Sequence, residues 1–154
     1  MFEKHLYQPI IRGGFMNGIP LWRVADSANI KQPFDICGVV VKECHAQGMA
    51  VGIEVKRVKR RSVNGNRPAW SSYENHQKAW LAEYGRALSI SLAIECYDDY
   101  KDVLVAYLIG EYDVNGIPKV NGVFELKKSK DVYDIGWIPI INVASARIQQ
   151  SRAS

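Results

Sequence analysis

The sequence predicts an α/β fold in which a mixed central β-sheet is flanked by helices and followed by a β-rich C-terminal extension. Three observations carry this prediction. Runs rich in Val and Ile recur at FDICGVVV (34–41), MAVGIEVKRV (49–58), LSISLAIECY (88–97) and DVLVAYLIGEY (102–112). Between the second and third runs, YENHQKAWLAEYGRAL places Tyr73, His76 or Gln77, Trp80, Leu81 and Tyr84 at helical spacing. The chain has 154 residues, 47% hydrophobic and 23% charged, which suits one domain with a sizeable core.

The elements follow in order. FEKHLYQPIIR (2–12) begins as a short helix that Pro9 bends and Gly13-Gly14 end. LWRVA (21–25) reads as a strand, and DSANIKQP (26–33) as a turn-rich loop. The runs at 34–41 and 49–58, joined by the polar KECHAQG, form a β-hairpin. The segment RVKRRSVNGNRPAW lacks an apolar period and reads as a loop or arm. Ser71 or Ser72 is positioned to cap the helix that follows. The runs at 88–97 and 102–112 make a second, largely buried hairpin around DDYK. Asn115-Gly116 and Asn121-Gly122 signal turns, VYDIGWIPIINV a last strand, and SARIQQSRAS a frayed tail. The expected organisation is one domain, 1–154, with a core over about 3–112, an extension over about 113–145 and a tail over 146–154.

Composition narrows the function classes. No apolar run approaches the ~18–20 residues of a membrane span, and the opening MFEKHLYQP lacks the apolar centre of a signal peptide. A cytoplasmic protein, or a nuclear one in a eukaryote, is expected. Cys37, Cys44 and Cys96 lack C-x-x-C spacing, which argues against a disulfide framework or a structural zinc site. His5, His45 and His76 are too scattered for a metal motif. The net charge of +4 is modest, but Lys56, Arg57, Lys59, Arg60, Arg61 and Arg67 fall in a stretch without acids. Such a local field attracts a polyanion.

One constellation points to chemistry. Residues two apart on a strand share a face, so Glu54 and Lys56 project together while Ile53 and Val55 face a core. If 36–41 pair antiparallel with 48–53 across KECHAQ, Asp35 falls opposite Glu54. Opposed Cβ atoms lie about 4.5–5.5 Å apart, so two carboxylates there repel each other and can share one hard cation. Mg²⁺, with Mn²⁺ able to substitute, would acidify a water and neutralise charge on phosphate, with Lys56 assisting. The adjoining Arg57, Lys59, Arg60, Arg61 and Arg67 would hold the DNA backbone.

The spacing PFD(35)…GIE(54)VK(56) resembles the PD-(D/E)xK nuclease superfamily. With WRVADSANIKQPFDICGVV, GIEVKR, a basic stretch and HQKAWL, it is similar to the Holliday junction resolvases and their VRR-NUC relatives over about residues 3–95. That resemblance implies a restriction-endonuclease-like core, with Asp35 and Glu54 as metal ligands and Lys56 as the catalytic lysine. It further implies site roles for Ser27, for Gln77 on the following helix, and for Glu3, the acid upstream of the first strand. Pro33-Phe34-Asp35 departs from the short form of the motif by one apolar residue, and the insertion at 57–70 and the tail after 112 have no counterpart in it. The expected activity is metal-dependent DNA cleavage, at branched or junction DNA, by a homodimer or higher homo-oligomer. Three alternatives stand beside it: a sequence-specific restriction or homing endonuclease, a non-catalytic DNA-binding module, and a structural protein whose E-x-K is a solvated strand face. Ser27 reads equally as a turn residue, Asp98 and Asp99 as solvated, and Trp70 as packing.

Overall fold

Strands form where the β-branched runs lie: β1 (Leu21–Arg23), β2 (Ile36–Val39), β3 (Ala50–Val58), β4 (Ile90–Tyr97), β5 (Val103–Tyr112), β6 (Pro118–Ser129) and β7 (Val132–Ile135). The helices are α1 (Lys4–Met16), α2 (Asn75–Arg86) and α3 (Trp137–Ala153). The computed structural model describes residues 3–24, 34–61, 65–100 and 102–153. Its strands make one seven-stranded sheet in sequence order. Among these pairings only β3 with β4 is parallel, and α2 lies between them in the chain. The predicted mixed α/β class is therefore met.

Alternation along the strands sorts side chains into two cores. Leu104, Ala106 and Leu108 of β5 join Ile53, Val55, Leu92 and Ile94 beneath Leu6 and Ile10 of α1 and Trp137, Ile140 and Ile141 of α3. Val105, Tyr107 and Ile109 face the other way and pack with Phe34, Tyr73, Ala93 and Tyr97 beneath Leu81 of α2. Glu54 and Lys56 belong to this second face, because their neighbours Ile53 and Val55 fill the first.

Four expectations are corrected. Helix α1 runs through Pro9 and past Gly13-Gly14 to Met16. An interior proline costs about 3 kcal/mol. Full burial of Leu6 and Ile10, each worth about 1.5–3 kcal/mol, offsets that loss. The two glycines act as a docking notch: a Cβ on Gly13 would lie 1.7 Å from the Tyr133 carbonyl oxygen, and one on Gly14 would lie 2.4 Å from Leu21. The cap of α2 is Glu74, in a reciprocal capping box with Gln77, while Ser71 and Ser72 lie in a preceding 3₁₀ turn, Trp70–Ser72. Asn121-Gly122 makes no turn. It sits inside β6, where the register slips so that Gly122 opposes Leu108 and Val120 opposes Ile109, leaving Asn121 as the extra residue of a bulge.

The last correction is at the C-terminus. Of VYDIGWIPIINV only Val132–Ile135 is strand, and Gly136, at φ +111°, turns the chain into α3. Trp137, Ile140, Ile141 and Ala144 are buried at i, i+3, i+4 and i+7, so most of the stretch expected as a last strand is a packed helix, which runs on to Ala153 through the tail expected to fray. Pro139 falls in its first turn, where a missing N–H does no harm.

Candidate active site

The hairpin register decides the site. Ile36 pairs with Ile53 and Cys37 with Gly52, so the same register sets Asp35 opposite Glu54, the arrangement expected from KECHAQ. Gly52 has no side chain because the Phe34 ring lies over it, 2.4 Å from where a Cβ would be. The apolar residue that interrupts the short motif is thus a buried wedge: Phe34 is 1% exposed and packs edge-on against Tyr84, centroids 4.6 Å apart.

Asp35 immediately precedes β2, beside the part of β3 that runs on past the pairing. Its Oδ2 accepts a hydrogen bond from the Val55 N–H at 2.9 Å, and the Tyr7 hydroxyl of α1 also bonds it. Burial raises the Asp35 carboxyl above the usual carboxylate range, against those two bonds, which favour the charged form. Glu54 is 2% exposed, and its Oε2 is buried without a hydrogen-bond partner among the described residues. Burial first, and then the Asp35 charge, push its carboxyl up to about 8; Lys56 pulls the other way. The Lys56 ammonium lies 5.5 Å from the centre of the Tyr73 ring, within cation–π range.

The other expected residues divide. The Glu3 carboxylate bears on both Asp35 and Glu54, but its Oε1 accepts from the Arg57 N–H at 3.2 Å, capping the exposed edge of β3. Gln77 spends its Oε1 on the Glu74 N–H at 2.9 Å, and the Glu74 charge reaches Glu54, so the start of α2 stands on the same side as the pair. Ser27 and Pro33 lie outside the described residues. Arg57 is tied to Asp98 (Nε to Oδ1, 2.9 Å), and Arg61 donates to the Gly65 carbonyl at 3.0 Å. Asp98 is therefore paired where solvation alone was expected. Lys59, Arg60 and Arg67 are exposed.

A hard divalent cation fits this pair in one respect and is limited in another. Two neighbouring carboxyls raised toward protonation, one with an orphaned buried oxygen, are the electrostatic counterpart of a missing positive charge. Among the described residues no group of three His, Cys, Asp or Glu gathers to hold an ion. Mg²⁺ needs only one or two carboxylates, since it retains several waters.

Beside the pair lies a network that the sequence reading passed over. Glu95 is the register partner of Lys56 on β4 and is 1% exposed. Its carboxylate accepts from the Tyr73 hydroxyl at 2.7 Å, the Tyr97 hydroxyl at 2.7 Å and the Ala69 N–H at 2.9 Å, and Tyr97 meets the Tyr107 hydroxyl at 2.9 Å. Glu95 thereby holds the ring beneath Lys56 and the end of the basic segment. The one signal for it was an acid inside the apolar run ISLAIECY. Trp70, read as packing, does pack against the α2-side core. No protein-family model matches the chain, and no curated protein matches it at a significant level.

Proposed function

We propose that the protein is a metal-dependent endonuclease that hydrolyses phosphodiester bonds of DNA, with Asp35 and Glu54 as metal ligands and Lys56 as the catalytic lysine. The observation that carries this reading is Glu54: a buried carboxylate facing a second one, raised to about 8 and left with an orphaned oxygen. A solvated strand face would have shown an exposed, ion-paired Glu. Residues over about 3–112, with β3 and β4 parallel across α2, are read as a restriction-endonuclease-like core.

In this reading a bound Mg²⁺ or Mn²⁺ supplies positive charge to the phosphodiester and lowers the pKa of the attacking water. The chain's own groups do the rest. The Val55 N–H and the Tyr7 hydroxyl hold Asp35 in place, leaving it little freedom to swing from Glu54. Lys56, steadied over Tyr73, positions the water or neutralises charge growing on phosphate as the P–O ester bond breaks. The exposed Lys59, Arg60 and Arg67 hold the flanking backbone. Branched or junction DNA is the preferred substrate in this proposal, cut by two copies acting together.

The test is cleavage of a synthetic junction, flap and duplex with Mg²⁺ or Mn²⁺. Asp35→Asn and Lys56→Ala are expected to abolish cutting with the fold unchanged by circular dichroism. Undiminished cutting by both variants overturns the assignment.

A further inference from the structure

We infer that the flank of α2 facing the outer strands is a stacking site for the unpaired bases of single-stranded DNA, leading into the Asp35–Glu54 site. It rests on the nuclease reading for its purpose but on separate residues for its chemistry. Gln77, Trp80 and Tyr84 recur at i, i+3 and i+7, which sets them on one side of α2. Trp80 meets Tyr84 edge-on with centroids 6.3 Å apart, and Tyr84 meets the Phe34 ring above Gly52. Across the floor, Cys37 pairs with Gly52 on one side and with Trp22 of β1 on the other, so Trp22 and Cys37 share this face.

Two indole rings thus border a floor made of Phe34 and Cys37. They are not core residues: Trp22 is 52% exposed and Trp80 41%. The floor is continuous with the candidate site, because Glu54 follows Gly52 by one strand repeat and its charge acts on the Cys37 thiol. Lys56 and the basic segment stand beyond Glu54, so a strand whose phosphates run along the cations brings its bases over the rings. Bases in a duplex are stacked on one another and offer no free face; unpaired bases offer theirs to any aromatic ring, whatever the sequence. A protein partner would also cover exposed indoles, but the neighbouring run of lysines and arginines favours an anionic backbone carrying planar bases.

The full chain in EDTA is titrated with oligo(dT) and with the same length of duplex, following tryptophan fluorescence and anisotropy. Trp137 is fully buried and Trp70 partly so, leaving Trp22 and Trp80 as the exposed reporters. Oligo(dT) is expected to quench the emission more strongly than duplex. Trp22→Ala and Trp80→Ala are each expected to weaken oligo(dT) binding about tenfold, one stacked base in fold-change, while Trp22→Phe restores most of it. Equal quenching by duplex, or unchanged oligo(dT) affinity in both alanine variants with native circular dichroism, overturns the proposal. So does a variant that converts a dimer to a monomer in sedimentation without altering DNA affinity, which assigns the patch to self-association. The nuclease reading fails separately, on cutting that survives both Asp35→Asn and Lys56→Ala.

Discussion

Glu54 is folded at a cost. Its carboxyl rises from the ordinary 4.5 to about 8, chiefly through burial, so the fold favours its protonated form. A carboxyl whose pKa is higher folded than unfolded contributes stability that is full below about 4.5 and lost as the pH climbs through about 8. Metal-free protein is therefore expected to lose melting temperature between about pH 5 and pH 9, and Glu54→Gln to remove part of that slope. At about pH 9 the variant should be the more stable by roughly 1–3 kcal/mol, the usual penalty of an unsatisfied buried polar group. Calorimetry of both chains across pH checks this, and added Mg²⁺ should recover stability in the native chain alone. Glu95 is buried as well, but it is supplied with donors from Tyr73, Tyr97 and Ala69. Glu95→Ala takes the acceptor from all three, leaving Tyr97 only its contact with Tyr107, and should cost more than about 3 kcal/mol in urea unfolding.

Elements meet through small residues and buried stripes. Gly13→Ala drives a methyl into the Tyr133 carbonyl, pushing α1 off β7 and with it Tyr7 from Asp35. An expected loss of at least about 3 kcal/mol compares with about 1 kcal/mol for Gly48→Ala, where φ is +87° but the space is open. Thermal melts of the two variants separate close approach from backbone strain. The C-terminal helix is a structural member, so Trp137→Ala should cost about 3–5 kcal/mol.

Across the whole molecule, charge and topology divide the labour. Arg57 and Arg61 are held by Asp98 and Gly65, whereas Lys59 and Arg60 face solvent, so the basic stretch is part scaffold and part exposed field. Replacing Lys59 and Arg60 with Ala should weaken DNA binding without regard to sequence and reduce the slope of log K against log salt by about one for each cation, as anisotropy titrations would read. What the sequence determined by itself was local. Strand runs, the amphipathic α2 and the hairpin register follow from β-branched composition, side-chain period and the polar KECHAQ turn, and that register alone is enough to oppose Asp35 and Glu54. Nearest-neighbour rules were outweighed where distant segments meet. Pro9 and Gly13-Gly14 do not end α1 because its burial against β7 exceeds their penalties. Asn121-Gly122 is a bulge because β5 pairs on both sides of it, and WIPIINVASA is a helix because its stripe finds the core beneath β6. The tyrosine and glutamate network under Lys56 was decided only by tertiary structure, since it joins β4, β5 and the segment leading into α2 through hydroxyls whose partners lie up to 22 residues away. Spacing in the chain carries no trace of such bonds; they exist only once the sheet has brought the strands side by side.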